Sequence, residues 1–263
     1  MRDLVIPPRL DGQDTVSSSV SANATRWSAE DDGWRGYHHR DGEIVLDARV
    51  HVALGLVSPR KGGALLDIGC ATGVLTDIFG KRAQVSSLTG VDFIDHATPF
   101  AFRRLNLDGD DPLPFADASF DVVLCLETLE HLHDTDRMVR EIHRVLLPGG
   151  YAILSVPRLD ALLSIGMLAV GLQPPAIECS LRRRYGSPGS SPRVSGHVSH
   201  FTRRALVELL KTNRFTVEHV RQASIYTSWR HSTESPSVWN KMPLWLLSKI
   251  PFKQDDLIVR VRR

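Results

Sequence analysis

The feature that most constrains the fold is the stretch 65–73, LLDIGCATG, where an apolar run passes through Asp67 into a turn of small residues. Residues 64–68 suit a buried parallel strand, and Gly69 and Gly73 let the backbone approach a ligand where a side chain would collide. The turn lacks the middle glycine of the G-x-G-x-x-G loops that bind dinucleotide pyrophosphates. Because the Asp67 carboxylate would repel a phosphate, the turn favours a cationic or hydroxylated ligand.

Two more acidic residues stand beside the strands predicted next along the chain. Asp92 ends the apolar stretch 86–92, and Asp108 precedes the strand predicted at 121–126. A carboxylate such as Asp92 can accept both ribose hydroxyls of a nucleoside. A lone aspartate is more often a helix cap or a turn residue. Several of them at successive strand ends, where open α/β sheets bind ligands, indicate a nucleoside-binding edge.

The order and spacing of these motifs, completed by RVLLPGGYAIL at 144–154, resemble class I S-adenosylmethionine-dependent methyltransferases of the type 11 or ubiquinone-pathway group over about residues 60–157. The resemblance implies S-adenosylmethionine as cofactor and S-adenosylhomocysteine as product. It implies that the turn surrounds the amino-acid end of the cofactor, that Asp108 and Gly109 meet the adenine, and that Leu126 lies beside the methionine. The predicted cofactor-binding residues are Asp67, Gly69, Cys70, Ala71, Gly73, Asp92, Phe93, Asp108, Gly109 and Leu126.

Strand and helix patterns alternate along the core, which predicts an α/β fold with a doubly wound, mostly parallel sheet of the Rossmann-like methyltransferase type. Strands are expected near 64–68, 86–92, 103–107, 121–126, 151–156 and 215–220. Residues 257–261 fit the antiparallel seventh strand that similar enzymes insert between strands five and six. One apolar helix face is predicted from Met138, Val139, Ile142, Val145 and Leu146.

A chain of 263 residues with 42% hydrophobic content fits one domain with additions. Residues 1–26, rich in Ser, Asp and Pro, are predicted to form a mobile tail, and residues 27–263 the methyltransferase domain. Within that domain, helix-like spacing predicts an N-terminal helical lid over 27–57. A change of periodicity predicts an inserted substrate lid over 158–200.

Charge and cysteine usage limit the partners and the compartment. A net charge of +2 is too small to indicate a nucleic-acid partner. Three cysteines and an N-terminus without the apolar core of a signal peptide predict reduced thiols and a cytoplasmic location. The uncharged stretch 161–172 would give about 18 Å of helix, too short to cross a hydrocarbon layer of about 30 Å. We expect it to pack on the domain, with peripheral membrane contact as the alternative.

The remaining motifs of the insertion bear on the acceptor. Arg182, Arg183 and Arg184 favour an anionic partner, such as phosphate on a nucleotide-linked or lipid-linked substrate. Together with QPP at 173–175 and GHVSHFT at 196–202, they are loosely similar to methyltransferases found among bacterial cell-surface polysaccharide genes. The sequence does not define the acceptor further, nor an oligomeric state.

Candidate catalytic residues follow the fourth predicted strand. Glu127, Glu130 and His131 have the i, i+3, i+4 spacing that places three side chains on one face of a helical turn. His197 and His200 are expected to approach from the inserted lid. Such runs resemble those of ubiquinone-pathway and small-RNA end-modifying O-methyltransferases, which implies a divalent ion on Glu127, Glu130 and His131. Many relatives carry the run without a known metal, so a hydrogen-bonding or general-base role for His131 is the preferred interpretation.

We therefore expect O-methylation of a small or carrier-linked metabolite, such as a sugar, a lipid-linked compound or a secondary metabolite. Carbon or nitrogen methylation in the same fold is the next alternative, because the fold does not fix the acceptor. A non-catalytic cofactor-binding protein and an NAD-dependent oxidoreductase are the remaining ones. The missing third glycine disfavours the oxidoreductase. Binding of S-adenosylhomocysteine or NAD separates these classes.

Overall fold

The computed structural model of the protein describes residues 36–40, 43–174, 176–186, 194–223 and 256–263, with backbone alone at 38–40. The predicted tail over 1–26 and the beginning of the predicted helical lid lie outside these ranges. Within them, seven strands form one sheet with the order β5-β4-β3-β6-β7-β9-β8. These strands are β3 (Ala64–Ile68), β4 (Ser87–Asp92), β5 (Ala101–Arg104), β6 (Phe120–Leu126), β7 (Leu146–Pro157), β8 (Thr216–Ala223) and β9 (Asp256–Arg262).

The sheet has the mixed topology that the sequence predicts. Strands β3 to β7 are parallel to one another, and β9 runs antiparallel to β7 and β8, between which it lies. Chain order reverses on either side of β3, which lies between β4 and β6. Ligands bind open α/β sheets at such a reversal, outside the carboxyl ends of the strands. The turn at 69–73 and the segment after β6 both leave the sheet there.

Apolar residues of the central strands alternate between the two faces of the sheet because successive side chains point to opposite sides. Leu66 and Ile68 belong to the core on one face, and Leu65 to the core on the other. Helices cover both faces, as a parallel sheet requires. They are α1 (Ala48–Leu54), α2 (Val74–Ala83), α3 (Thr135–Val145) and α5 (Arg203–Thr212), while α4 (Leu162–Ala169) belongs to the insertion.

Helix α3 confirms the predicted apolar face. Asp134 caps its first turn by accepting a hydrogen bond from the Arg137 backbone N–H, and Met138, Val139 and Ile142 are fully buried. The helix ends at Val145, and β7 begins at Leu146, five residues before the predicted strand. Strand β5 is also displaced, since it ends at residue 104 rather than 107. A turn begins at Asn106, which accepts hydrogen bonds from the Asp108 and Gly109 N–H groups, so the pairing of β5 with β4 ends before it.

The predicted helical lid over 27–57 is wrong in its described first part. Strands β1 (Tyr37–Arg40) and β2 (Glu43–Leu46) pair antiparallel, and helix α1 begins only at Ala48. The sequence carried a hairpin signal that helical spacing obscured, since Asp-Gly at 41–42 is typical of two-residue hairpin loops. The Tyr37 hydroxyl lies 2.7 Å from Thr72 Oγ1, so this segment contacts the turn after β3.

The insertion between β7 and α5 contains α4, shorter than the predicted stretch 161–172. Ser164 faces the protein, whereas Leu162, Ile165 and Leu168 are each about half exposed, at 52%, 49% and 50%. The insertion rejoins the sheet edge where Phe201 bridges Arg158 in parallel. In the described part of the chain, no helix has the length and apolar character needed to cross a bilayer.

Candidate functional site

The turn after β3 has the close packing that its glycines predict. Gly69 and Gly73 both have φ of +79°, a conformation that glycine adopts without steric cost. A Cβ on Gly69 would collide with Thr128 Oγ1, and one on Gly73 would lie 2.5 Å from the Phe100 ring. Thr128 is buried under the turn and donates hydrogen bonds to two strand-end carbonyls. The sequence offered no sign of its role.

Asp67 lies beneath this turn, 4% exposed, and its Oδ2 accepts a hydrogen bond of 2.6 Å from Thr76 Oγ1 on α2. Burial raises the pKa of Asp67 to about 7, the Thr76 hydroxyl opposes that rise, and the nearby Asp92 carboxylate adds to it. A buried carboxyl with this pKa changes charge near neutrality. Asp67 is therefore negatively charged, and can attract a cationic ligand group, mainly at pH values above about 7.

Asp92 joins the ends of β3 and β4. Its Oδ2 accepts from the Ala71 backbone N–H at 2.8 Å, and its Oδ1 accepts from the Ile94 N–H at 3.0 Å. Each carboxylate oxygen has a second lone pair, so these contacts leave acceptor capacity for two hydroxyls. Cys70 is buried between this edge and Gly90, where a Cβ would lie 2.6 Å from the thiol sulfur.

Asp108, Gly109 and Phe93, three of the predicted cofactor contacts, each contact another residue of the protein. Both Asp108 oxygens face His133, accepting from its backbone N–H at 2.7 Å and lying 2.5 Å from its ring Nδ1. The Gly109 N–H donates to the Asn106 carbonyl. Phe93 lies under the Arg104 guanidinium, whose carbon is 5.9 Å from the ring centroid. Asp108 thus links the loop before β6 to the loop after it.

The expected shared face of Glu127, Glu130 and His131 is not formed. Glu127 has φ of +50° and precedes a short 3₁₀ helix at Leu129–His131, so the helical spacing does not apply to it. Its Oε1 accepts from Ser155 Oγ at 2.6 Å, and its Oε2 accepts from the Arg49 guanidinium at 3.0 Å. This ion pair, which the sequence did not reveal, turns Glu127 toward β7 and α1.

His197 takes the place that Glu127 was predicted to fill. One ligand atom each from Glu130, His131 and His197 lies within 4.8 Å of the others. Glu130 is 2% exposed, and its buried Oε2 has no hydrogen-bond partner among the residues that the structure describes. Its Oε1 lies 3.9 Å from His131 Nε2. We call these three residues the polar cluster.

The hydrogen bonds of the two rings define their tautomers. His131 Nδ1 lies 3.1 Å from the Gly196 carbonyl oxygen, and His197 Nδ1 lies 3.2 Å from that of Ala176. Because a carbonyl oxygen only accepts, each Nδ1 carries a proton and each Nε2 a lone pair. Burial lowers the pKa of both imidazoles, that of His197 to about 3, with His131 adding to the effect. Both are neutral at pH 7.

His200 lies at the edge of the polar cluster. It lines a small cleft together with Glu130, His197 and Phe201, and its side chain is more open to solvent than theirs. Burial lowers its pKa.

The three arginines at 182–184, predicted to favour an anionic partner, differ in their exposure to solvent. Arg182 and Arg183 are exposed, but Arg184 is buried, with its guanidinium 3.6 Å from Glu178 Oε1.

Comparison with known proteins decides what this edge of the sheet is. The family model described as "Methyltransferase domain" matches residues 37–220, which include the turn, the polar cluster and the whole insertion over 158–200.

The chain belongs to the S-adenosylmethionine-dependent methyltransferase family.

Individual relatives share shorter stretches with this methyltransferase. A ubiquinone biosynthesis O-methyltransferase of Pseudomonas paraeruginosa is 33% identical over 106 residues, covering 36% of this chain and 44% of that protein. A 27-O-demethylrifamycin SV methyltransferase of Amycolatopsis mediterranei is 37% identical over 107 residues, covering 36% and 39%. The chain spans about half the length, or less, of the curated relatives it matches.

Solved structures confirm the class I fold. An S-adenosylmethionine-dependent methyltransferase from Mesorhizobium loti matches with a TM-score of 0.54 and 18% identity, over 82% of this chain and 98% of that one. A methyltransferase from Methanosarcina mazei matches with a TM-score of 0.52 and 18% identity, over 78% and 93%. The predicted fold class and the predicted cofactor, S-adenosylmethionine, are therefore confirmed at the level of the family.

Proposed function

We propose that this methyltransferase transfers the methyl group of S-adenosylmethionine to a hydroxyl of a small or carrier-linked acceptor. The observation that carries the proposal is the polar cluster, in which Glu130 and His131 follow β6, His197 comes from the insertion, and two imidazole lone pairs lie beside a buried carboxyl. The end of this strand lies beside the cofactor's methionine in similar enzymes. Two relatives add support, one named as an O-methyltransferase and one named as a methyltransferase of 27-O-demethylrifamycin SV.

The chemistry asks little of the protein beyond positioning and one proton transfer. Methyl transfer from a sulfonium is an in-line displacement in which the cofactor supplies the driving force. A hydroxyl acceptor must lose its proton, and Nε2 of the neutral His131 ring, which carries the lone pair, is the proposed acceptor of that proton. His197 and Glu130 would orient the hydroxyl. Burial, with Glu127 contributing, raises the pKa of Glu130.

A divalent cation is the second candidate for activating the hydroxyl. Two imidazoles and one carboxylate are ligand types that suit Zn²⁺ or Mn²⁺. Each histidine donates a hydrogen bond from its Nδ1–H to a backbone carbonyl, as histidine ligands of metals commonly do with their second ring nitrogen. The buried Glu130 Oε2, which has no partner in the described part of the chain, fits the same role. The proposed ligands are Glu130, His131 and His197, and a cation there would make the hydroxyl more acidic.

The surface of the insertion supports an acceptor carried on a lipid or another anionic group. Leu162, Ile165 and Leu168 form an uncharged outer face of α4, and Arg182 and Arg183 are exposed on the same insertion. Peripheral contact with a membrane would suit such an acceptor. The three cysteines are free, which supports the expected cytoplasmic location.

The test offers labelled S-adenosylmethionine to the protein together with a soluble catechol, a sugar alcohol, or an aromatic diamine of the same shape as the catechol. We expect S-adenosylhomocysteine release and an O-methylated product from a hydroxyl probe. His51→Gln on the exposed face of α1 serves as the control for His131→Gln. Methylation of the diamine alone would contradict the hydroxyl assignment. Activity that disappears with chelator and returns with Mn²⁺ would favour the cation over the base.

A further inference from the structure

Glu178, outside every predicted site, organises the insertion around the polar cluster. Its side chain is fully buried, 0% exposed. Its Oε1 accepts from the Ser195 backbone N–H at 2.6 Å, and its Oε2 accepts from the N–H groups of Gly196 and His197 at 2.6 and 3.2 Å. Three successive backbone donors therefore point at one carboxylate. Bonds of this kind to an ionised acceptor are short and about twice as strong as neutral ones.

These bonds hold together the two segments that supply the carbonyls facing the histidine Nδ1 atoms. The Gly196 carbonyl, which faces His131 Nδ1, shares its peptide group with the His197 N–H that donates to Glu178 Oε2. Ala176, two residues before Glu178, supplies the carbonyl that faces His197 Nδ1. A shift of either carbonyl would free the ring nitrogen to lose its proton to the other nitrogen.

The opposite side of the segment is fixed independently. The N–H groups of Val198 and Ser199 both donate to the Glu130 carbonyl, at 2.8 and 3.0 Å. This pair holds the segment next to β6, but it leaves the orientation of the peptide at Gly196 free. Glu178 supplies the contact that orients this peptide. Gly196 itself has φ of +83°, which leaves its peptide plane less restricted than that of a residue in a strand or helix.

We propose that Glu178 is a positioning residue that holds His131 and His197 as Nδ1–H tautomers, so that each Nε2 carries the lone pair within the polar cluster. The use of those lone pairs in methyl transfer rests on the function proposed above. The geometric claim does not, because the tautomers can be observed without an acceptor.

The experiment records long-range ¹H–¹⁵N spectra of the full chain with ¹⁵N-labelled histidine, which distinguish a protonated from an unprotonated ring nitrogen. His131→Gln and His197→Gln assign the two signals. In Glu178→Gln an amide NH₂ replaces one acceptor oxygen and faces a backbone donor. We expect both rings to be Nδ1–H in the wild type, and His131 to become a mixture with at least one-tenth Nε2–H in the variant.

Glu208→Gln, the same change on the exposed face of α5, is the matched control and should leave both rings as in the wild type. Glu178→Asp retains two acceptor oxygens and should therefore give a smaller change in the tautomers than Glu178→Gln. It replaces Glu178→Gln in the test if that variant folds poorly. In both variants we expect the amides of 195–197 to exchange faster with solvent. Rings and amides that match the control would overturn the proposal. Affinity for S-adenosylhomocysteine, measured by calorimetry on the same samples, reports separately on the cofactor site.

Discussion

The turn after β3 and the insertion over 158–200 meet at the same edge of the sheet, yet they are held in different ways. The acidic groups of the turn are bound by neighbours close in sequence, since Asp67 accepts from Thr76, nine residues away, and Asp92 from Ala71. The insertion depends on contacts such as that of His131 with Gly196, 65 residues apart. The acidic groups on the proposed cofactor side are thus held by contacts within residues 67–94, whereas the proposed acceptor side joins the insertion to the segment after β6.

The largest expected effect breaks the cofactor side. Gly69→Val combines a positive φ with a collision against Thr128, so affinity for S-adenosylhomocysteine should fall more than 100-fold by calorimetry. Gly62→Val is the control, since Gly62 has φ of +74° but nothing within 4 Å of the added Cβ. Equal binding by both variants would show that close packing at this turn does not matter.

The next largest effect distinguishes methyl transfer from cofactor binding. His131→Gln removes the proposed proton acceptor, and a general base contributes roughly a hundredfold to ten-thousandfold. Turnover of the hydroxyl probe should fall by that order, with affinity for S-adenosylhomocysteine unchanged. His51→Gln should leave both quantities as in the wild type. Full turnover of His131→Gln would remove this ring from the chemistry.

This division also explains which parts were predictable. The turn, Asp92 and the strand order follow from patterns within short windows, because a buried parallel strand and a tight glycine turn each leave a local sequence signature. The mutual contact of His197 and His131 depends on the path of the insertion. So does the burial of Glu178, because no spacing rule links residues 131, 178 and 197. The shared face predicted for Glu127, Glu130 and His131 is wrong because a helical spacing was applied to Glu127, which lies before the short helix.

A moderate effect tests the nucleoside assignment. Asp92→Ala removes a charged acceptor and should weaken S-adenosylhomocysteine binding by about 1.5–3 kcal/mol, the usual contribution of hydrogen bonds to charged groups. Asp95→Ala, at an exposed position three residues on, is the control. The unfolding free energy of both variants needs measuring as well, because Asp92 also binds the Ala71 and Ile94 amides. Undiminished affinity would contradict the ribose contact.

The smallest effect concerns pH. With its pKa raised to about 7, Asp67 is mostly protonated at pH 6 and mostly ionised at pH 8. Ionised Asp67 should attract the ammonium group of S-adenosylhomocysteine, so affinity should rise across this range by at most about tenfold. The sign is opposite for stability: a carboxyl whose pKa is raised on folding stabilises below its unfolded pKa and loses that contribution as pH rises toward 7. Asp67→Asn should flatten both profiles, and a pH-dependent Asp67→Asn would assign the effect elsewhere.

The most direct test of the two-sided site is a crystal structure of the protein with S-adenosylhomocysteine. We expect the ribose hydroxyls to bind Asp92, the amino-acid end of the ligand to lie in the turn at 69–73, and the sulfur to face the polar cluster. A sulfur facing away from Glu130, His131 and His197, with the ribose still on Asp92, would contradict the claim that the insertion completes the site.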